Sequence, residues 1–518
     1  MRGKTTTSLV KGLDFLFKGP LIKPENRAKE LPFVADGGLV DIETNVDMVL
    51  NDIKNTRVSG TSEIRNGRGV LSGGVPLEDI NAVIAFTERK VESNSVRATF
   101  LGGETRGEIV TVKEAQPPVV KLAATGVANT DKLQPWIGEH VLTLVNGAAP
   151  WQGSILFEGD RVDVKALSNL EGIEVTAPAP LFKTAEQNSH LNLSMAFGGT
   201  TVEQSISIEY GDQMSARFRS NPATDDALVK PSLFDMSLIR IGEPNSMALK
   251  PGVNFSIADD DINLDDWLSA IIDLAEYQPK VPADNTDFLD AMRTVNIVAS
   301  EPIFLDRDFG NLNITAVTVD GFQWIGTLRG DNVDGTMQLR PRDAISNYGF
   351  NLSQLIISEQ PDPGAPLEKI DYSLRPSEFP NLSLQVDDLR LAGKRLGVMS
   401  FTGRPDGEQW RVDDFELNHN GISTKASGGW LNNQERGSIS SFTFNSVIDE
   451  AEGAFDELDF DGVIKKGEGT VKGELRWIGA PHEFDYGRLN GEFDAFIKDG
   501  ELVTVSYTHL TLPTILLV

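Results

Sequence analysis

The side chains most able to do chemistry in this sequence are five histidines, and they are scattered along the chain. None has a second histidine or a carboxylate three or four residues away on a predicted helix, which is the spacing that presents two metal ligands together. The sequence therefore predicts isolated surface histidines and no metal site. The five are His140, His190, His419, His482 and His509.

Clusters of acidic residues are the second candidate for chemistry. The run 259–263 begins like a calcium loop, but Leu264 stands where such a loop needs glycine and Ala270 where it needs glutamate. We interpret this run as the acidic start of a helix. The pairs Asp387-Asp388 and Asp413-Asp414 could serve a glycosidase, yet neighbouring residues of a strand point to opposite faces. Each pair is therefore expected at a turn or bulge.

Composition removes further classes of function. The chain has 76 acidic and 47 basic residues, a net charge of -29, which argues against nucleic-acid binding because phosphates require clustered cations. It has no cysteine, which excludes disulfides and thiolate chemistry. No phosphate-binding loop or nucleophile-elbow motif occurs. The sequence predicts a non-enzymatic protein without a cofactor.

From residue 31 onward, apolar and polar residues alternate with a period of two, and turn residues interrupt them every 8–12 residues or so. The stretch from Leu382 to Trp430 has this pattern throughout. About twenty strands are predicted against three or four short helices. The predicted fold is mainly β, an elongated antiparallel β-sheet with a few short helices.

The apolar face of that sheet must be covered by something. Two sheets could pack together as a closed sandwich, which would suit a structural or adhesive scaffold. Alternatively the face could remain an open groove for lipid tails, because so few helices cannot cover so much sheet. Glycines at the inward positions 153, 473 and 491 favour the groove, since they would leave room. The alternation predicts nine inward, lipid-contacting residues: Trp151, Ile155, Phe157, Phe442, Phe444, Leu475, Trp477, Phe493 and Ile497.

The predicted organisation has four parts: a short helix and linker over 1–30, a β region over 31–258, a second β region over 259–504, and residues 505–518. Thr7 or Ser8 would cap the first helix, and Asp261 or Asn263 a helix near the boundary. Short helices are predicted near 284–293 and 446–458, and a hairpin turn at Asn66-Gly67. Residues 505–514 match the translation of a common sequencing adapter, so we expect 505–518 to be non-native. No apolar run is long enough to cross a membrane.

Ordered blocks of sequence resemble one known family. The blocks include Leu13–Leu21, Trp151–Gly153, Pro178–Lys183, Trp410–Val412 and Trp477–Pro481. Each is weak alone, but their order and spacing over 9–504 resemble the YhdP family of the AsmA-like superfamily of Gram-negative envelope proteins.

The resemblance implies a β-sheet curled into a groove in the periplasmic part of a protein that is anchored in the inner membrane. It also implies movement of phospholipid towards the outer membrane and support of that membrane's barrier. The expected partners are phospholipid acyl chains, the inner membrane through an N-terminal anchor that this sequence lacks, and outer-membrane components. The family has no catalytic motif, which agrees with the empty search for chemistry.

Overall fold

A computed structural model gives the fold of most of the chain. It describes residues 2–18, 33–49, 52–71, 75–115, 118–133, 142–159, 161–198, 204–220, 235–243, 248–267, 269–270, 291–305, 307–319, 323–341, 345–358, 376–377, 379–433, 437–450, 464–481 and 489–502. The predicted linker, residues 284–290, 451–458 and 505–518, and three of the histidines (His140, His482 and His509) lie outside these ranges.

Strands make up most of the described chain. The first sixteen are β1 Arg2–Ser8, β2 Phe33–Val49, β3 Asp52–Leu71, β4 Pro76–Thr87, β5 Val91–Phe100, β6 Gly103–Lys113, β7 Val119–Asn129, β8 Val145–Glu158, β9 Arg161–Ser168, β10 Ile173–Val175, β11 Leu191–Phe197, β12 Gln204–Tyr210, β13 Met214–Ser220, β14 Met236–Gly242, β15 Lys250–Pro251 and β16 Val253–Ala258. The rest are β17 Met292–Ala299, β18 Ile303–Phe304, β19 Arg307–Asp308, β20 Leu312–Thr318, β21 Trp324–Gly330, β22 Val333–Arg340, β23 Asn347–Ile357, β24 Asn381–Leu391, β25 Lys394–Asp406, β26 Gln409–His419, β27 Ile422–Asn433, β28 Gly437–Ile448, β29 Ile464–Lys465, β30 Glu468–Ile478, β31 Asn490–Lys498 and β32 Glu501–Leu502. Helical segments are short: α1 Leu9–Lys18, a 3-10 turn Thr130–Leu133, and a turn that begins at residue 264.

The chain divides into two compact units. Unit 1 holds residues 1–259 and 266–293, and unit 2 holds residues 260–265 and 294–518. In unit 1 the strands from β1 to β9 pair antiparallel in chain order, and β9 then pairs with β11 and the ladder continues to β14. The short strand β10 pairs with β8, and β16 lies parallel to β14.

Unit 2 follows the same plan. The ladder runs from β17 through β20 to β23, and again from β24 to β28, β30 and β31, with antiparallel neighbours. Strands β23 and β24 are parallel instead. The prediction of a mainly β, antiparallel fold is confirmed, and these parallel pairs are its exceptions.

The hairpin turn predicted at Asn66-Gly67 is wrong. Both residues lie inside β3, where the pairing with β4 shifts register on either side of Gly67. Asn66 has a φ of 49°, so its left-handed conformation makes a β-bulge here. The Asn-Gly signal identified the backbone conformation, but a bulge and a turn both need it.

Two predicted helices overlap strands at one end. Ser446, Val447 and Ile448, predicted to begin a helix, continue β28 and pair with β30. Ala291 is helical, in agreement with the helix predicted near 284–293, but Met292 and Arg293 already begin β17. In both places cross-strand pairing outweighs local helix propensity.

The first predicted helix is correct, and it packs on the sheet. The Lys11 backbone N–H donates to Ser8 Oγ at 3.4 Å, so Ser8 caps α1 as expected. Leu9 is 1% exposed and packs on Val40 and Ile42 of β2. The second cap is Asn263, whose Oδ1 accepts the Asp265 N–H at 3.0 Å.

A buried lysine stabilises the loop that follows β10 through hydrogen bonds to backbone carbonyls. Lys183 is 2% exposed, and its Nζ donates to the carbonyl oxygens of Leu170 (2.8 Å), Ile173 (2.6 Å) and Thr184 (2.9 Å). Burial lowers the pKa of Lys183, and Glu186 opposes the shift. The Lys183 ammonium donates to three carbonyl oxygens that are removed from water and would otherwise have no hydrogen-bond partner.

We expect Lys183→Met to destabilise unit 1 by about 2–3 kcal/mol, because the methionine fills the volume but leaves the three carbonyls unpaired. Urea unfolding measures the change. The control is Lys165→Met on β9, where the lysine is exposed and the change should be within about 0.5 kcal/mol. Equal stability of the two variants would contradict this role for Lys183.

Candidate functional site

One face of the unit 1 sheet carries an uninterrupted row of apolar residues in cross-strand register. It crosses thirteen strands: Val40, Ile64, Ala82, Val96, Gly107, Ala124, Gly153, Ala166, Leu193, Ile208, Ala216, Ile239 and Phe255. Towards its ends the row is buried, with Val40 1% and Ile239 8% exposed. From Val96 to Ile208 every member is half-buried. Solvent therefore reaches the middle of an apolar sheet face.

The central part of this row is made only of small residues. Gly107, Ala124, Gly153 and Ala166 follow one another on β6 to β9, over about 14 Å at the usual strand spacing. The next row on the same face is larger and aliphatic: Ile109, Leu122, Ile155 and Val164. The small residues thus lie beside a row of larger aliphatic ones, and we refer to Gly107, Ala124, Gly153 and Ala166 as the trench.

The three residues predicted to face inward in unit 1 lie on this face of β8. Ile155 lies between Leu122 and Val164 in the aliphatic row. Phe157 and Trp151 lie on either side of it, and all three predicted side chains are half-buried. The Trp151 ring contacts Phe100 edge to face, with centroids 5.6 Å apart. The predicted trio therefore borders the trench.

Unit 2 has a comparable apolar face. One row crosses eight strands: Phe350, Leu384, Phe401, Phe415, Ala426, Phe444, Gly473 and Phe493. Most of its rings are half-buried, and Phe493 is 67% exposed. Alongside it runs a second row: Tyr348, Leu382, Gly403, Val412, Gly428, Phe442, Leu475 and Gly491.

A tryptophan cluster borders these rows at one set of strand ends. Trp410, Trp430 and Trp477 are 2%, 6% and 8% exposed. Phe379 contacts the first two edge to face, with centroids 5.3 and 5.9 Å away. The Trp410 N–H donates to the Pro380 carbonyl at 2.9 Å. The cluster is a closed core at the side of an otherwise accessible face.

The six residues predicted in unit 2 share this face but differ in accessibility. Phe442, Phe444 and Leu475 are half-buried. Ile497 of β31, which pairs with Gly469 of β30, is also half-buried. Phe493 is the most exposed of the six. Trp477 belongs to the buried cluster, where its ring stacks on Phe442 at 5.2 Å. Five of the six thus remain accessible, and Trp477 packs against one of them, Phe442.

The inward glycines do not leave the empty space that the sequence suggested. A methyl group on Gly473 would lie 2.9 Å from Phe444 Cε1 and 2.8 Å from Phe493 Cβ. On Gly153 it would lie 3.2 Å from Trp151 Cζ3. Neighbouring rings therefore fold over the glycines, so the glycines allow aromatic rings to lie close to the sheet.

The opposite face of the sheet carries charged side chains, with exposed apolar ones such as Val398 and Val447 between them. In unit 2 Asp413 accepts from Arg404 at 2.6 Å and from Arg411 at 2.8 Å. Hydrogen bonds from Arg390 and Arg395 lower the pKa of Asp388. The acid pairs lie at register shifts, Val386/Leu389 and Val412/Phe415, so the expected bulges are confirmed. These carboxylates serve exposed ion pairs, which contribute little stability each.

The described residues offer no other chemical site. Among them no group of three histidine or acidic side chains could hold a metal ion. In the same ranges no helix has both the length and the hydropathy to span a bilayer. The residues that sequence reasoning missed are the small ones of the trench and the buried Trp410 and Trp430. A search for large apolar side chains overlooks glycine and alanine. On β7, however, the alternation of these small residues with larger ones can be seen in the sequence.

Comparison with known proteins identifies the family. The model of the family described as YhdP protein matches residues 1–512. No curated protein and no solved structure matches the chain. Because the family match covers nearly the whole sequence, the chain belongs to the YhdP family, and it is an AsmA-like protein of the cell envelope.

Proposed function

We propose that this protein carries phospholipids between the inner and outer membranes by holding their acyl chains against the apolar faces of its sheets. In this view it is the periplasmic part of a protein anchored in the inner membrane, and it supports the outer-membrane barrier. The single observation that carries the proposal is the apolar row of unit 1, which is accessible to solvent over its middle strands.

The physical basis is burial without specific bonds. Each methylene removed from water contributes about 0.8 kcal/mol, so two acyl chains are held firmly by apolar contact alone. The row offers equivalent apolar residues at every strand spacing, about 4.8 Å apart. A chain can therefore shift from one strand to the next without breaking a hydrogen bond.

A structural β-sandwich is the second candidate, and the strand pairing argues against it. A sandwich needs two sheets whose inner faces cover each other. Within the described parts of each unit, the long strands follow one ladder in chain order, and the other pairings involve strands of only two or three residues. The central row of a sandwich would be buried, whereas Gly107, Ala124 and Ala166 are accessible.

The electrostatics suit a carrier that does not bind headgroups by charge. The net charge of -29 disfavours adsorption to anionic lipid surfaces. We therefore propose that the membranes are reached through an anchor and through outer-membrane components, with acyl chains as the bound partner.

The proposal is tested with a photo-crosslinking amino acid on one strand. We expect crosslinks to phospholipid from position 475, where Leu475 faces the apolar row, and few from position 472, where Lys472 is exposed on the other face. Native mass spectrometry of the purified protein should also detect bound phospholipid. Equal labelling at both positions would contradict binding of lipid to the apolar face.

A further inference from the structure

The indole N–H of Trp151 is an unsatisfied donor at the border of the unit 1 trench. Its Nε1 is buried and has no hydrogen-bond partner. The N–H groups of Trp410 and Trp477 differ, because each donates to a backbone carbonyl at 2.9 Å. A buried donor without a partner costs about 1–3 kcal/mol, so such a group calls for a functional explanation.

The surroundings of Trp151 explain why its N–H has no partner. A methyl group on Gly126 of β7 would lie 3.1 Å from Nε1, so this nitrogen rests against a bare glycine. The Thr105 hydroxyl beyond it donates to the Gly103 carbonyl at 3.5 Å. Gly126 and Gly153 lie against the ring and present no side chain, so a lipid carbonyl reaches the N–H only once the ring rotates about its side-chain bonds.

The positions of the basic side chains near the trench indicate which kind of hydrogen-bond acceptor suits the Trp151 N–H. Arg106, Lys121 and Lys165 alternate with the trench residues, so they project from the opposite face of β6, β7 and β9. Along the described strands β6 to β9, a phosphate would meet no lysine or arginine side chain on the apolar face. A neutral carbonyl oxygen at the base of an acyl chain needs only one donor and can enter an apolar site once it is hydrogen-bonded.

We infer that Trp151 donates a hydrogen bond to an acyl ester carbonyl of a bound diacyl lipid, which fixes where the glycerol ester lies relative to the trench. The inference rests on the proposed lipid binding and adds a specificity-determining residue to it. Apolar contact holds the acyl chains, and this one polar contact distinguishes an ester-linked lipid from an ether-linked one.

The test is a double-mutant cycle between protein and lipid. Wild type and Trp151→Phe are each titrated with diester and diether phosphatidylethanolamine that carry the same hydrocarbon chains. We expect wild type to prefer the diester by about fivefold, which is about 1 kcal/mol. Phenylalanine keeps the ring but lacks the N–H, so Trp151→Phe should bind both lipids equally. Phe100→Leu removes the ring contact but keeps the N–H, and it should retain the preference.

A second measurement follows the indole directly. The 15N-indole resonance that is missing in Trp151→Phe should shift downfield with the diester lipid and stay in place with the diether. Equal affinity of wild type for both lipids would overturn the inference while leaving the proposed function standing. Failure of wild type to bind either lipid would overturn the proposed function, and the inference with it.

Discussion

Gly403→Val is expected to destabilise unit 2 by about 3 kcal/mol, because the new side chain displaces a buried tryptophan. A methyl carbon on Gly403 would lie 2.3 Å from Trp410 Cη2 and 2.5 Å from Cζ2. The ring cannot move aside freely, since Trp410 is 2% exposed and its N–H is bonded to the Pro380 carbonyl. Its displacement would also break the contact with Phe379.

Gly349→Val is the matched control. Gly349 lies in β23, and the nearest atom to a methyl group there is the Gln338 carbonyl oxygen at 3.8 Å. Valine favours strands, so this variant should be as stable as wild type or slightly more stable. Urea unfolding followed by tryptophan fluorescence measures both. An unchanged midpoint for Gly403→Val would show that the Trp410 ring is not held against that strand.

Ala124→Asp is expected to reduce lipid labelling in unit 1 by about tenfold or more. The carboxylate would stand in the trench, and it is too short to reach water past a bound acyl chain, so binding would require its desolvation. A photo-crosslinking residue at position 155, in the neighbouring row, reports the lipid at this place.

Ala123→Asp provides the comparison for this prediction. Ala123 is the adjacent residue of β7 and lies on the opposite face, paired with Glu108 and Ser154. Both variants place aspartate in the same strand, so they share its cost in strand propensity. Circular dichroism should give both the wild-type spectrum. If Ala123→Asp lowered the labelling as much as Ala124→Asp, the trench would not be the binding surface.

Period-two alternation was sufficient to predict the class of fold. It puts Phe442, Phe444 and Leu475 on one face of the sheet, because each is flanked by polar neighbours that face the other way. It could not distinguish Trp477, since burial there depends on Phe442 and Ala480, which come from other parts of the sheet or turn.

Features that depend on partners distant in sequence were not predictable. Strand β23 pairs with β24 in parallel, and nothing in the alternation of either strand distinguishes this pairing from an antiparallel one. The trench depends on four strands presenting small residues in the same register, which a strand-by-strand inspection does not reveal. Asn66 shows a further limit, because one backbone conformation serves both bulges and turns.

Pairing of each strand with its neighbour in the chain has an evolutionary consequence. In the stretch from β24 to β28, loss of one strand would reverse the direction of all that follow, whereas loss of a complete hairpin would preserve both direction and facing. Insertions and deletions should therefore be tolerated in two-strand steps. The number of strands in the sheet can then change by duplication or loss of hairpins, without redesign of the strands that remain.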